Sequence, residues 1–490
     1  MKRISSVVFL VFLGCTGDGV KDGVAPRVDA GSDAGPTACA EPARCEADEL
    51  VTCGARQACT LGCDAQSTRC KTIAPSGAAG TVDVSTATAD TTLSEANVYW
   101  FDTQTGSIGF RDDTGTPAGV PLRAGGPGIV SGIGFQSVQQ EGGPKLGVFF
   151  FRSLAVATGA TVKVYGPDPI ALVSLGDLTV AGTVSVSADC AKNTPGPGAP
   201  VDGPSKGLTN RVAFNNNPGF KGICGGAGGG GNGTAGGKGG DATGSNGSAE
   251  TPQQAQALGG EGGAARARTL IDQPLFVGGG AGGGGSRWPV PTPNEPVYPG
   301  GAGGGALQLA AGGTLLVSGL VDAAGCGGRR GWSGANLPVG SADCWGAGGG
   351  GAGGTIALEA GAVRIAPTGR VLANGGGAGG GCTWSNSNAM PNMNEDGASN
   401  SSSAERAKGG KADARRSSAA DACGPGQDGN VPKDEFFYAS CFVPTNIPVA
   451  ASGGGGGSGL LGVRTRDATF VTEDGGIVNP APARSIASVK

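Results

Sequence analysis

Glycine supplies 100 of the 490 residues. A residue without a side chain adds nothing to an apolar core and loses more conformational freedom on ordering than any other. With 31 Pro besides, the chain stands where low-complexity composition begins. Charged residues make up 15% and aromatics 5%, which argues against a conventional globular enzyme with one dense aromatic core.

Histidine is absent altogether. That removes Ser-His-Asp and Cys-His catalysis, imidazole general bases and every metal site that needs imidazole. The formal net charge is −4, so no basic face for nucleic acid is expected.

Between the glycines, apolar pairs recur with one residue between their members: Leu154/Val156, Val162/Val164, Ile170/Leu172, Leu178/Val180 and Val184/Val186. This is the period-2 mark of short strands with one buried face. A shift of 137 positions reproduces the pattern at Leu307/Leu309, Leu315/Val317 and Val321/Ala323, with Gly319 in the place of Gly182. A third copy runs Ile356/Leu358, Val363/Ile365 and Val371/Ala373, preceded by Gly369, and a weaker fourth runs Leu461/Val463, Val471 and Val478. Short strands turned by glycine and repeated as a unit are what a β-solenoid needs, because each coil buries its inward row only against the next. The expected fold is therefore all-β: a Gly-rich parallel β-solenoid over 146–480, β-helix-like, with long Gly-rich inserts such as 225–231, 278–285 and 348–354. Two-sided coils and an antiparallel sandwich with long loops are the alternatives. Bundled polyproline-II helices from the Gly runs are a further alternative, against which stands the runs' lack of a clean three-residue period. Upstream, 81–145 reads as a β-rich cap, with Val98–Phe101 and Ile108–Phe110 flanking a turn at Asp102–Gly106 as a hairpin.

The N-terminus carries an address. Lys2 and Arg3 precede the apolar stretch Val7–Leu13, too short to span a bilayer, and then Gly14-Cys15, which reads as a signal peptide over 1–14. Residues 15–37, rich in Gly, Asp, Ala and Pro, form a flexible tether. Six cysteines, Cys39, Cys45, Cys53, Cys59, Cys63 and Cys70, then fall within 38–72 and imply a disulfide-stapled module, because so small a unit cannot fold on apolar burial alone. Seven more lie downstream at Cys190, Cys224, Cys326, Cys344, Cys382, Cys423 and Cys441. Proximity suggests Cys190 with Cys224, Cys326 with Cys344, and one pair among the last three.

Leu13-Gly14-Cys15 resembles a bacterial lipoprotein signal, in which the Cys becomes the lipid-modified first residue; Thr16 after it implies the outer membrane, and Phe12 departs from the usual aliphatic residue. Plain secretion is the alternative. Leu50-Val51-Thr52-Cys53 and Leu61-Gly62-Cys63 are similar to small Cys-rich units of bacterial surface lipoproteins. The strand copies alternating with Gly-Ala loops, over about 145 to 480, resemble Gly-rich bacterial surface lipoproteins with an N-terminal Cys-rich module. The resemblance implies an exported, lipid-anchored protein of the outer membrane or cell surface, and carries no activity with it.

Chemistry-bearing candidates are few. Trp288, Trp332, Trp345 and Trp384 lie in the inserts, where aromatic faces could stack sugar rings; covering a disulfide and giving a Gly loop something to pack on is the stronger explanation. Gly237-Lys238 is followed by Gly239 rather than Ser or Thr, so there is no P-loop. Gly236–Asp241 fits only the start of a calcium-binding nonapeptide. Arg406, Lys408, Lys411, Arg415 and Arg416 form a basic cluster that reads as a solvated loop. Glu359, Asp467, Glu473 and Asp474 sit near strand copies, but nothing in the sequence makes two of them converge, so no catalytic pair, cofactor or metal is assigned. The expectation is a non-enzymatic surface lipoprotein with an adhesive or structural role, held to the membrane by its lipid and meeting polysaccharide or other envelope components, not nucleic acid. A polysaccharide hydrolase or lyase on the same scaffold is the alternative.

Overall fold

The computed structural model describes residues 42–487, apart from 112–116, 214–222, 246–253, 267–274, 289–298, 334–343, 384–396, 399–406, 409–428, 430–440, 444–448, 467–469 and a few shorter gaps. The signal sequence, Cys15, the tether, Cys39, Trp384, Cys423 and Asp467 lie outside the described residues, as does the basic cluster except Lys408. The described chain is nearly all β; one 3-10 turn, Gly77–Thr81, is its only helical element.

Three rows of strands pair in parallel, and the chain visits them in the same order each time. The first row holds Lys145–Phe151, Ile170–Ser174, the front of Ala306–Val317 and of Thr355–Ile365, Leu460–Thr465 and Ala483–Ile486. The second holds Asp90–Leu93, Ser153–Val156, Leu178–Val180, the back of the two long strands, and Val471–Thr472. The third holds Val98–Asp102, Thr161–Tyr165, Thr183–Ser185, Leu320–Asp322, Arg370–Leu372 and Ile477–Asn479. The sheets are mixed, because Gly128–Val130 and Ile133–Gln139 join the first row antiparallel, and the hairpin Val98–Asp102/Ile108–Arg111 edges the third.

The apolar pairs are the inward residues. Ile170, Leu307, Ile356 and Leu461 stack in register, and the three rows share one core with Phe101, Phe149, Leu178, Leu315, Val321 and Val371, all buried. Gly182, Gly319 and Gly369 stand at the turn from second to third row; a methyl on Gly319 would lie 2.0 Å from the Gly182 carbonyl oxygen, so only glycine fits. The fourth copy slips by one: Val471 pairs with Arg364 and is 53% exposed, and Phe470 packs toward the core instead.

The first row is also covered on its outer side, which explains its uninterrupted burial at Ile170–Ser174. Residues 73–87 cross it as a strap. Ile73 packs with Ala487 on the C-terminal side, Ala79, Val82 and Ala87 with Leu146, Val148, Ala171 and Ala306, and the N–H groups of Thr88 and Ala89 reach the Gly132 carbonyl. Ahead of the strap, Arg44–Glu46, Glu49–Thr52 and Ala55–Ala58 make a small antiparallel sheet. Cys45–Cys63 and Cys59–Cys70 staple it, and Cys53 is disulfide-bonded too.

The glycine runs are ordered. In run 225–231, the N–H groups of Gly226 and Gly229 donate to Gly240 and Gly237, those of Ala227 and Gly230 to Ala347 and Gly350, and those of Gly228 and Gly231 to Leu208 and Ser205. Every third residue returns to the same neighbour. That is three residues per turn, the polyproline-II repeat, a helix with no internal hydrogen bonds. The carbonyls follow suit: Gly226 and Gly229 accept from Gly260 and Gly263, Ala227 and Gly230 from Gly454 and Gly457, Gly228 and Gly231 from Gly283 and Gly280. One run thus has six neighbours, donating to three and accepting from three. Run 346–354 repeats the scheme with donors Ala347, Gly350 and Gly353 to Ala451, Gly454 and Gly457, and Gly348, Gly351 and Gly354 to Arg329, Cys326 and Ala323. The three-residue period is carried by hydrogen bonds, not by residue identity.

Rows and bundle are continuous. Run 300–305 leads into Ala306–Val317 and run 346–354 into Thr355–Ile365; Gly301 and Gly304 donate to Gly349 and Ala352, Thr355 to Gly305, and Ala306 then pairs with Thr355 in the strand ladder. A correction falls at this junction. Cys190 is bonded to Cys326, not Cys224, so Cys326 does not pair with Cys344. Cys224 is itself disulfide-bonded.

Candidate functional site

The direction of the runs fixes what lies at each end of the bundle. Runs 225–231, 259–263, 346–354 and 451–459 pair in parallel, and runs 236–240, 278–285 and 373–381 run against them. The end where run 346–354 meets Thr355–Ile365 is the end joined to the rows. At the opposite, distal end the chain leaves or enters every one of these runs through short strands. Val212–Ala213, Ile223–Cys224, Val449–Ala450 and Cys382–Thr383 form one small sheet. Gln254–Ala257, Ala242–Ser245 and Cys441–Val443 form a second, and Arg287–Trp288, Cys344–Trp345 and Trp332–Ser333 a third. The first lies against both of the others, and together they make up the tip layer.

Three of the four insert tryptophans therefore come together. In the third sheet Trp332 is the register partner of Trp345, Arg287 faces Trp345 from the other side, and Trp288 pairs with Cys344, one position along. Spacing in sequence gave no hint of this, because Trp288 and Trp345 reach the sheet through different runs. Cys224, Cys344, Cys382 and Cys441 all belong to the same layer.

Among the described residues the candidate carboxylates do not gather. Glu359 is buried in the first row under the strap, accepting from Ser76 N–H at 2.7 Å and from Ser76 Oγ, with Arg464 at 3.9 Å; burial pushes its carboxyl up, against the opposing pull of Ser76 and Arg464. Glu473 pairs with Arg364 at 2.7 Å on the surface. Lys238, the residue of the rejected phosphate loop, lies 3.6 Å from both Asp241 and Glu261. Among the described residues no group of three His, Cys, Asp or Glu could hold a metal.

Sequence reasoning missed three buried polar anchors. Arg123 donates to the carbonyls of Ile133, Gly106, Ala124, Gly126 and Gly128, and burial lowers its basicity. Asn232, where run 225–231 ends, donates to Gly353 at 2.8 Å and Gly354 at 2.9 Å. Asp322 ends a third-row strand beside the Cys190–Cys326 bond. It accepts from Ser187 Oγ and from Ala324 N–H at 3.2 Å, and burial pushes its carboxyl up to about 7 despite those bonds. All three hold backbone together, and none faces an open groove with a second catalytic group. No family model, curated protein or solved structure matches this chain.

Proposed function

We propose that this chain is a non-enzymatic surface lipoprotein with an adhesive or structural role, held to the outer membrane through Cys15. In this reading the three rows are the sides of a parallel β-solenoid and the glycine bundle is a stiff spacer that carries the tip layer away from it. The observation that supports it most is the out-and-back course of the runs, which collects Trp, Arg and Cys at one end of an otherwise side-chain-poor bundle. At about 3.1 Å per residue, the nine positions of run 346–354 span roughly 28 Å. A glycoside hydrolase needs two carboxylates across one groove, and the buried Glu359 and surface-paired Glu473 are engaged elsewhere.

The test is made in cells that export the chain. The natural sequence should take up labelled palmitate and the Cys15→Ala variant should not. An epitope inserted within 409–428 should be stained on intact cells. Staining only after the envelope is opened would refute the display reading.

A further inference from the structure

We propose that the tip sheet built from Arg287–Trp288, Trp332–Ser333 and Cys344–Trp345 is a carbohydrate-binding site that takes pyranose rings of a polysaccharide. The proposal rests on the surface-display reading and adds its ligand class. Its basis is the juxtaposition: two of the five Trp of the whole chain, delivered by separate runs, are direct register partners in one three-stranded sheet, Trp332 with Trp345, and so share a face with Arg287, whereas Trp288, paired with Cys344 one position along, belongs to the other face. The buried core of the rows is filled by Phe, Leu, Ile and Val, and the bundle has no room for an indole, since a single methyl at Gly350 or Gly353 would already lie 2.1 or 2.0 Å from a carbonyl oxygen.

The chemistry selects sugar. An indole offers a broad apolar face together with an N–H donor, and a pyranose ring offers a patch of C–H groups rimmed by hydroxyls, so stacking and hydrogen bonding are met in one contact. Arg287, at the register position facing Trp345, adds a donor set that can bind hydroxyl or carboxylate oxygens. Neighbouring strands lie about 4.8 Å apart, so the sheet offers several adjacent positions to a chain of sugar rings rather than one pocket to a monosaccharide.

The test uses the mature protein with its disulfides intact, run in native gels containing hydroxyethylcellulose, laminarin, galactomannan or alginate. Retardation by at least one of them is expected, with at least about a tenfold loss of affinity in Trp332→Ala/Trp345→Ala and partial recovery in Trp332→Phe/Trp345→Phe. Oxidative footprinting of the natural protein, read by mass spectrometry, does not depend on the variants folding. Polysaccharide should protect Trp332 and Trp345 and leave Trp100 unchanged. No retardation by any polymer, or protection confined to Trp100, would overturn the proposal. If the epitope at 409–428 still reaches the outside, the display reading survives that outcome.

Discussion

The β rows and the glycine bundle use the same backbone hydrogen bond in two opposite ways. In the rows, strands of two to twelve residues are held in register by what they bury, and a one-residue slip would turn Ile170, Leu307, Ile356 and Leu461 out of the core. The bundle buries little but backbone, and each central run is held by three donor and three acceptor neighbours. The rows are thus specified by side chains and the bundle by their absence. Glycine, usually a source of disorder, becomes the residue that permits close packing, because a Cβ at most positions would occupy the place of a neighbouring carbonyl. Alanine interrupts the runs at 227, 347 and 352, so a methyl is accepted only at particular lattice positions.

The sharpest way to break that contrast is Gly350→Val. Its Cβ would meet the Gly376 carbonyl oxygen at 2.1 Å, and moving the run strands several buried N–H and C=O groups at about 1–3 kcal/mol each. A loss of about 4 kcal/mol or more is expected, read as collapse of hydrogen-exchange protection in 225–231 and 346–354 while 170–174 stays protected. Next comes the junction. Cys190→Ser with Cys326→Ser opens a loop with a sequence separation of 136 and should cost about 4 kcal/mol, lowering the midpoint of the bundle's unfolding before that of the rows. In the rows the converse substitution matters: Leu309→Ala leaves a cavity in the core and should cost about 3 kcal/mol in calorimetry, with the bundle's protection unchanged. A uniform fall of both regions in any of these variants would show that they do not differ as argued.

The smallest effect is a pH dependence at the junction. The folded carboxyl of Asp322 sits at about 7, above its ordinary 3.8. Between those values the unfolded chain releases a proton that the folded one keeps, so stability falls as pH rises from about 4 to 7 and is level above that. Glu359 is displaced in the same direction. In melts at pH 5 and pH 8, Asp322→Asn should narrow the stability difference by at least about 1 kcal/mol, since a tenfold change in proton affinity on folding corresponds to about 1.4 kcal/mol.

How much of this was legible in the sequence varies by region. The 137-residue shift between apolar pairs is the parallel register itself, Ile170 to Leu307 and Val184 to Val321, because inward residues must match where strands stack. The same shift carries Cys190 to within one position of Cys326, its true partner; pairing by nearness in the chain overlooked it. The bundle was not legible, since a threefold pattern of hydrogen bonds leaves no trace where most residues are glycine. The strap was hidden for a related reason. Pro75 to Gly80 reads as a linker, and only the alanines at the outward positions of the first row, Ala306, Ala310 and Ala357, marked the space it fills. The tryptophans were singled out, but their meeting depends on the direction of the runs.

The strap also imposes an order on biogenesis. Synthesis delivers the N-terminus first, yet Ser76 finds its acceptor at Glu359 and Ile73 its neighbour at Ala487. Residues 73–76 must therefore wait, with their apolar side uncovered, until more than 400 further residues, up to Ala487, have emerged. A product broken off before Glu359 and Ala487 has no seat for them, so the strap can close only over rows that have already been made.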